Sequence, residues 1–171
     1  MPEGPSIFIL KEQVQIFKGK KVVAVIGNSK TDIQRVLNHT VIDFKSWGKH
    51  FLICFNNFTI RIHFMLFGSY SINEEKERPP RLGLKFKSGA LNFYTCSVKF
   101  MDEAVNATYD WSEDIMSDDW DAAAAKKKLK SHPKIELEVL KVNFRAKRFY
   151  EDLGFKAFEE KEDVFQMIFL D

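Results

Sequence analysis

Six short runs of apolar and β-branched residues, all between positions 22 and 94, constrain the fold more than any other feature of the chain. They are VVAVI (22–26), TVIDFKSW (40–47), HFLICF (50–55), FTIRIHF (58–64), LGLKF (82–86) and ALNFY (90–94). Runs of this length and composition are typical of strands, and Asn56-Asn57 and Ser88-Gly89 stand where tight hairpin turns are expected. The pattern predicts a β-sandwich or a barrel and leaves its function open.

Helical patterns stand on both sides of these strands. Residues 5–17 repeat apolar side chains at helical spacing, and Asp121 is a suitable N-cap for the alanine- and lysine-rich stretch after it. A strand over 136–142, a helix over 143–153 and an extended tail complete the chain. The predicted fold class is therefore α+β: a β-sandwich with an N-terminal helix, followed by a C-terminal strand–helix–strand segment.

The change from strand-like runs to a strand–helix–strand pattern also predicts two domains, 1–132 and 133–171. Apolar residues make up 45% of the 171 residues and 17 residues are Phe, yet no apolar run is long enough to span a membrane. The first residues lack the pattern of a secretory signal, so we expect a cytoplasmic protein. Cys54 and Cys96 have no Cys or His neighbours in the sequence, so we expect buried thiols and no zinc site.

The net charge of +2 is unevenly divided along the chain. Residues 1–134 hold 20 Lys and Arg against 15 Asp and Glu, a net charge of +5, whereas residues 135–171 hold 6 against 9, a net charge of −3. A basic body fits a polyanionic partner such as nucleic acid. Many soluble proteins are equally basic, so the charge alone does not decide the function.

The start of the chain, MPEGP, carries residues that can perform chemistry. If Met1 is removed, Pro2 presents a secondary α-amine, whose pKa of about 7.7–8.0 leaves a fair fraction neutral and nucleophilic at pH 7. An amine that attacks C1′ of a nucleotide expels the base and leaves an iminium, and the adjacent Glu3 can shuttle protons. The structural alternative is a proline with no chemical role, which is common at position 2.

Four motifs in order resemble one family. MPEGP, followed by a helix and a β-rich body, resembles the start of the formamidopyrimidine-DNA glycosylase and endonuclease VIII family of base-excision repair enzymes. SWGKHFLICF (46–55) resembles its Gly-Lys hairpin, and RIHFMLFGSY (61–70) resembles its His-Leu-Gly-Met-Ser-Gly segment. CSVKF (96–100) stands where that family has an Arg-Phe pair. The resemblance covers about residues 1–132.

This resemblance implies a catalytic set at the N-terminus and the hairpin. Pro2 is the implied Schiff-base nucleophile and Glu3 the implied proton shuttle. Gly48 and Lys49 take the places of the Gly-Lys pair, whose lysine contacts the sugar-phosphate of the lesion and can act as an acid. The alternative for Lys49 is a solvated lysine on a hairpin.

The resemblance also implies DNA contacts. An enzyme that acts on a base must extrude it from the stack, and an apolar wedge can hold the gap open. Leu66 is the best wedge candidate, with Met65 beside it, although both could instead be core residues of a hairpin. Lys99 and Phe100 are the candidates for contacts with the orphan base and the opposite strand.

Two departures from the family pattern bear on this prediction. Ser6 replaces a glutamate that the family uses in recognition and in positioning the terminus. Nothing after residue 134 resembles the helix–two-turn–helix module or the finger that grip DNA phosphates, and two cysteines cannot form a four-Cys finger. Because phosphate contacts supply much of the affinity for duplex DNA, we expect weak binding and impaired activity.

The end of the chain resembles a different family. LEVLKVNFRAKRFYEDLGF (137–155) is similar to the closing segment of GCN5-related N-acetyltransferases, which implies coenzyme A contacts for Asn143 and Tyr150. The glycine-rich turn that cradles the pyrophosphate in that family is missing from the sequence. We therefore favour a structural strand–helix–strand cap over an acetyltransferase fragment.

The leading hypothesis is a DNA glycosylase with AP lyase activity, working by β-elimination on oxidised bases through Pro2. We expect damaged double-stranded DNA as its partner, a monomer, no cofactor, no metal and no membrane association. One alternative is a catalytically silent DNA-binding or structural remnant, natural or chimeric. Another is coenzyme A binding by residues 135–171, with a partner chain completing the fold.

Overall fold

The computed structural model describes residues 2–132, 134–152 and 154–170. Four residues lie outside the described ranges: Met1, Pro133, Leu153 and Asp171. Pro133 is the first residue of the predicted second domain, and whether Met1 is retained is a question about one of these four. By compactness the chain forms two units, Met1–Trp120 and Asp121–Asp171. None of the helices in the described ranges is both long enough and apolar enough to cross a bilayer.

The first unit begins with helix α1 (Gly4–Gln13), which continues into a 3₁₀ turn over Val14–Phe17. Another 3₁₀ turn covers Ile33–Val36. The strands of this unit are β1 (Val22–Ile26), which precedes that second turn, β2 (Asp43–Trp47), β3 (His50–Cys54), β4 (Thr59–His63), β5 (Ser69–Ile72), β6 (Leu82–Phe86), β7 (Gly89–Tyr94) and β8 (Ser97–Met101). Helix α2 (Val105–Thr108) and a 3₁₀ turn (Trp111–Glu113) close the unit.

The strands form two antiparallel sheets of four strands, in the orders β1-β6-β7-β5 and β2-β3-β4-β8. Alternate residues of each strand point into one shared core, as Phe51 and Ile53 of β3 and Ile60 and Ile62 of β4 show with exposures of 0%. This period-two burial is what the apolar runs predict for a sandwich. The predicted α+β class, with a β-sandwich and an N-terminal helix, is confirmed.

Helix α1 closes one side of this core. The predicted apolar face is buried: Ile7 and Leu10 of α1, and Val14 and Phe17 of the 3₁₀ turn after it, are all at most 1% exposed. Pro5 occupies the first turn, where its missing N–H costs no hydrogen bond. Burial of this face fixes the start of the chain against the second sheet.

A second, smaller cluster covers the outer face of the sheet β2-β3-β4-β8. Leu52 and Cys54 of β3 pack there against Tyr109, and Trp47 and Trp111 are partly buried beside them. The segment after β8 therefore gives this sheet an apolar layer on both faces. Cys54 and Cys96 are both buried free thiols, as expected.

The second unit contains helix α3 (Ala122–Lys130), β9 (Lys134–Leu140), α4 (Phe144–Asp152), β10 (Lys156–Glu160) and β11 (Val164–Leu170). The strands form an antiparallel sheet in the order β10-β11-β9. Asp121 caps α3 as predicted, since its Oδ1 accepts hydrogen bonds of 2.9 Å from the N–H groups of Ala123 and Ala124. The stretch predicted as an extended tail forms two strands, and Val139 and Met167 are the fully buried apolar side chains among the described residues of this unit.

Candidate functional site

The turn between β2 and β3 presents Lys49. Trp47 pairs with His50, so Gly48 and Lys49 are the two central residues of a tight hairpin. Of these two, only Gly48 has a positive φ, +53°, which is the pattern of a type II′ turn with glycine at the first central position. The Gly-Lys order in the sequence is thus the order that this turn needs.

The N-terminus of α1 meets this turn. Nζ of Lys49 lies 3.0 Å from Oε2 of Glu3, the residue that precedes the helix. The approach is close on the backbone side too, since a Cβ on Gly4 would stand 3.7 Å from the carbonyl oxygen of Gly48. The side chains of Lys49 and Glu3 keep 43% and 51% of their surface exposed, so both remain open to a ligand. Pro2, half-buried, directly precedes this pair.

A buried carboxylate holds the turn from the other side. Asp114, 6% exposed, accepts a hydrogen bond of 3.2 Å from the N–H of Gly48 and another of 3.1 Å from the N–H of Met116. A buried side chain that accepts two backbone hydrogen bonds fixes the segments that donate them. Asp114 therefore ties the hairpin to the segment that follows β8. Nothing in the sequence distinguishes it from its acidic neighbours, because its partner lies far away along the chain.

A cluster of basic and aromatic side chains continues from the turn across the outer face of the sheet. His50 pairs with His63 on β4, their rings 5.7 Å apart, and Nδ1 of His50 lies 3.1 Å from the hydroxyl of Tyr109. Burial lowers the pKa of His50, and the positive charges of Arg61, His63 and Lys99 lower it further. This face is electropositive, a property that the residue types suggest only once the strand register is known.

The loop between β4 and β5 carries the predicted wedge. Phe64 is 1% exposed and anchors the loop, which closes through a hydrogen bond of 2.8 Å from the N–H of Gly68 to the carbonyl of Phe64. Between them Met65, Leu66 and Phe67 are 52%, 58% and 75% exposed. Leu66 and Met65 are therefore surface residues of a short loop. Phe67, which no motif in the sequence singles out, is the most exposed of the three.

The backbone of this loop fits the register of the predicted motif. Met65 has a φ of +54°, in the left-handed region that favours glycine, and it stands where the family segment has its first glycine. Its N–H donates a hydrogen bond of 3.2 Å to Nδ1 of His63. A Cβ on Gly68 would stand 2.0 Å from the carbonyl oxygen of Phe64, so a side chain there cannot be accommodated without movement.

Strand β8 sends the other two candidates to opposite faces. Lys99 is exposed and pairs with Arg61 on the outer face, within the electropositive cluster. Phe100 packs towards the core, where its ring lies 5.6 Å from that of Phe58 and 5.4 Å from the guanidinium carbon of Arg35. The structure thus brings Lys99, and not Phe100, to the side that His50 and His63 occupy.

In the second unit, the two residues matched to coenzyme A contacts have structural partners. Oδ1 of Asn143 accepts a hydrogen bond of 3.1 Å from the N–H of Ala146 and caps α4. The ring of Tyr150 makes edge contacts with Phe149 and Phe155, at 5.4 and 5.5 Å. Across the described residues, no group of three or more His, Cys, Asp or Glu could hold a metal ion.

Solved structures of DNA glycosylases share the fold of part of this chain. A viral DNA glycosylase matches it with a TM-score of 0.64 and 15% identity, over 76% of this chain and 57% of that one. Lactococcus lactis formamidopyrimidine-DNA glycosylase bound to DNA that contains an AP site matches with a TM-score of 0.52 and 14% identity, over 58% and 44%. The same enzyme with DNA containing N7-benzyl-Fapy-dG gives 0.53 and 16%, over 58% and 44%.

The sequence identifies the family directly. Residues 1–102 match the formamidopyrimidine-DNA glycosylase N-terminal domain family, so the chain belongs to this family. The 171 residues span about half the length of the solved structures that they match. A search among curated proteins finds no match.

Proposed function

We propose that this protein is a base-excision-repair DNA glycosylase with AP lyase activity on oxidised bases in duplex DNA. The observation that carries the proposal is the Glu3–Lys49 ion pair, which sets a carboxylate and an ammonium beside Pro2. A nucleophile, a proton carrier and a phosphate-binding cation at one place are the groups that this reaction needs. Membership of the family supports the same assignment.

The reaction begins at the secondary amine of Pro2 once Met1 is removed. Its nitrogen forms a bond to C1′ of the damaged nucleotide, the bond from C1′ to the base breaks, and the base leaves with a proton. Opening of the sugar ring gives an iminium between Pro2 and C1′. Loss of a proton from C2′ then expels the 3′ phosphate by β-elimination.

The neighbouring residues serve these steps. Glu3 can deliver a proton to the opening sugar and accept the proton from C2′, while Lys49 neutralises the phosphate beside the lesion. The exposure of both side chains allows them to exchange their mutual ion pair for contacts with the substrate. We propose that Leu66, with Met65 beside it, fills the gap left by the flipped nucleotide, and that Lys99 contributes to DNA contact, whereas Phe100 faces the core.

Borohydride trapping tests this proposal. Borohydride reduces the iminium to a stable amine, so protein without Met1 should form a covalent adduct with a duplex that contains an abasic site. The matched control is the same chain with Met1 retained, in which the nitrogen of Pro2 is an amide and should give no adduct. Intact-mass measurement establishes which form is present. If Met-processed protein also gives no adduct, the proposed chemistry is wrong.

The electropositive outer face supports a second candidate, a catalytically silent DNA-binding module. Arg61 and Lys99 on this face can attract phosphates without a free N-terminus. This candidate predicts DNA binding that weakens steeply with salt, together with an absence of trapping in Met-processed protein. We expect that these 171 residues alone bind duplex DNA weakly in either case.

We propose that the second unit is an acetyltransferase-like segment whose role is structural. The sheet order β10-β11-β9 with α4 between β9 and β10 supports the likeness, and the use of Asn143 as a helix cap supports the structural role. Saturating acetyl-CoA should then leave the melting temperature unchanged. A clear upward shift would instead favour coenzyme A binding.

A further inference from the structure

Strand β9 is an edge of the sheet in the second unit. The sheet has the order β10-β11-β9, and within the described residues no strand pairs with the outer side of β9. The register of β9 with β11 runs without interruption from Lys134 to Leu140. A regular edge strand presents a row of unpaired backbone N–H and C=O groups, which is a template for a further strand.

The opposite edge of the same sheet is irregular. The register between β10 and β11 shifts between Ala157 and Glu159. Such irregularities bend an edge strand and interrupt the row of backbone groups that a partner strand would need. Strand β9 is therefore the edge of this sheet that suits the addition of a strand.

The side chains of β9 alternate between charged and apolar. Lys134, Glu136 and Glu138 are exposed on one face of the strand. Ile135 and Leu137 are half-buried on the other face. Charges on an edge strand generally oppose pairing. Because these charges have both signs, they oppose some registers and favour another.

Antiparallel pairing with β9 of a second copy has one favourable register. When Glu136 lies opposite Glu136 of the second copy, Lys134 faces Glu138 on both sides of the two-fold axis. Opposite charges in directly facing positions stabilise a pair of strands, and like charges destabilise it. Registers centred on Leu137 or Glu138 bring carboxylates together and form no Lys–Glu pair. A register centred on Ile135 pairs only three residues of each strand.

We propose that two copies of this chain associate through their β9 strands about a two-fold axis, in the register centred on Glu136. The second copy is the fitting partner because the charge pattern of β9 is complementary to itself in this register. The product is a continuous antiparallel sheet of six strands, three from each copy. A dimer replaces the monomer that we expect from the sequence, and it forms whether or not the proposed DNA chemistry is correct.

The pairing also increases apolar burial in the second unit. Ile135 of each copy faces Leu137 of the other, so side chains that are half-buried in one chain lose further contact with water. Val139 and Met167 are the fully buried apolar side chains among the described residues of this unit. A three-stranded sheet with so small a core gains stability from additional strands.

Sedimentation equilibrium of the full chain tests this proposal. Between about 1 and 200 μM the wild type should change from monomer to dimer, because small interfaces have micromolar dissociation constants. Glu138→Lys sets lysines opposite each other at both outer positions, and Lys134→Glu sets carboxylates there. Each variant alone should dimerise at least about 10-fold more weakly than the wild type. An equimolar mixture of the two variants should restore the dimer, because every lysine then faces a glutamate.

Glu160→Lys is the matched control. Glu160 on β10 and Glu138 on β9 have similarly exposed side chains, 63% and 59%, and they contact Lys141 and Lys161 of their own chain. The control should dimerise like the wild type, within about 2-fold, since surface changes away from an interface are nearly neutral. Thermal melting confirms that every variant is folded. A purely structural role of Glu138 within one chain cannot produce rescue between two chains.

The results that would overturn the proposal are distinct. A wild type that stays monomeric over the whole concentration range leaves the edge of β9 unpaired. Dimers that tolerate both single substitutions, or that Glu160→Lys weakens as much as Glu138→Lys does, form through another surface. Variants that fail to combine in the mixture contradict the register. None of these results bears on borohydride trapping, which tests the proposed function separately.

Discussion

Glu3 directly precedes α1 and Lys49 lies in the turn between β2 and β3, yet their charged groups lie 3.0 Å apart. The contact exists because α1 buries its apolar face against the second sheet and so brings its first residues to the β2–β3 turn. The ion pair itself is a consequence of this packing and adds little to stability, since both partners are about half exposed. Its importance lies in what it places beside Pro2.

Replacing Lys49 should therefore affect chemistry and leave folding intact. We expect Lys49→Ala to change the free energy of unfolding by less than about 1 kcal/mol, as for other exposed pairs, and to slow borohydride trapping by at least about 10-fold through loss of the phosphate contact. Lys85→Ala is the control, because Lys85 makes a 2.9 Å ion pair with Glu75 at similar exposure. Equal trapping by the two variants would remove Lys49 from the mechanism.

Asp114 should matter more for stability than any exposed acid near it. Asp114→Ala leaves the N–H of Gly48 and that of Met116 without their acceptor, and we expect a loss of about 2–3 kcal/mol in urea unfolding. Hydrogen exchange at the amide of Gly48 should accelerate as well. The exposed Asp118 is the control, and Asp118→Ala should cost less than about 0.5 kcal/mol. Similar costs for both would mean that Asp114 does not hold the turn.

Substitution by glycine should have different effects on the melting temperature at Met65 and at Leu66. Met65 has a φ of +54°, which costs about 1 kcal/mol or more for a residue with a side chain, so Met65→Gly should leave the melting temperature unchanged or raise it. Leu66 is not at positive φ, so Leu66→Gly should lower it through the larger entropy of the unfolded chain. Met65→Val should lower it further, because a β-branched residue fits this backbone poorly. A loss of stability in Met65→Gly as large as that in Leu66→Gly would contradict the left-handed conformation.

His50 should make stability depend on pH. Its pKa is lowered in the folded protein, first by burial and then by Arg61, His63 and Lys99, so the folded state binds a proton less readily than the unfolded one. The stability that this residue contributes is present above its unfolded pKa of about 6.5 and is lost as the pH falls through the lower folded value. We expect the melting temperature of His50→Gln to fall less than that of the wild type between about pH 7 and about pH 5, the range in which histidine titrates. Parallel curves would show that His50 is not the group responsible.

The strands with continuous apolar character were predictable from the sequence, and those without it were not. VVAVI and LGLKF coincide with β1 and β6, whereas β5, with the sequence SYSI, is too polar to stand out. The run TVIDFKSW yields a strand only from Asp43 onward. Local periodicity reports which residues face a core, but a short polar strand is defined by its pairing with a distant neighbour.

The candidate site likewise contains residues that could be selected from the sequence and residues that could not. Pro2, Glu3 and Lys49 could be selected because their chemistry and their motifs are local. Asp114 and the cluster around His50 could not, because their significance arises from contacts across strands and from the segment after β8. Phe67 was visible in the sequence, but only its 75% exposure distinguishes it from a core phenylalanine.

The segment after β8 sets a practical limit on how the first unit can be shortened. The family match ends at residue 102, but Tyr109 shields Leu52 and Cys54, and Asp114 secures the backbone of Gly48. A protein that ends at residue 102 would expose apolar side chains on the outer face of the sheet β2-β3-β4-β8. It would also lose the hydrogen bond that holds the β2–β3 hairpin next to the N-terminus. Any minimal version prepared for crystallisation or engineering should therefore extend to Trp120.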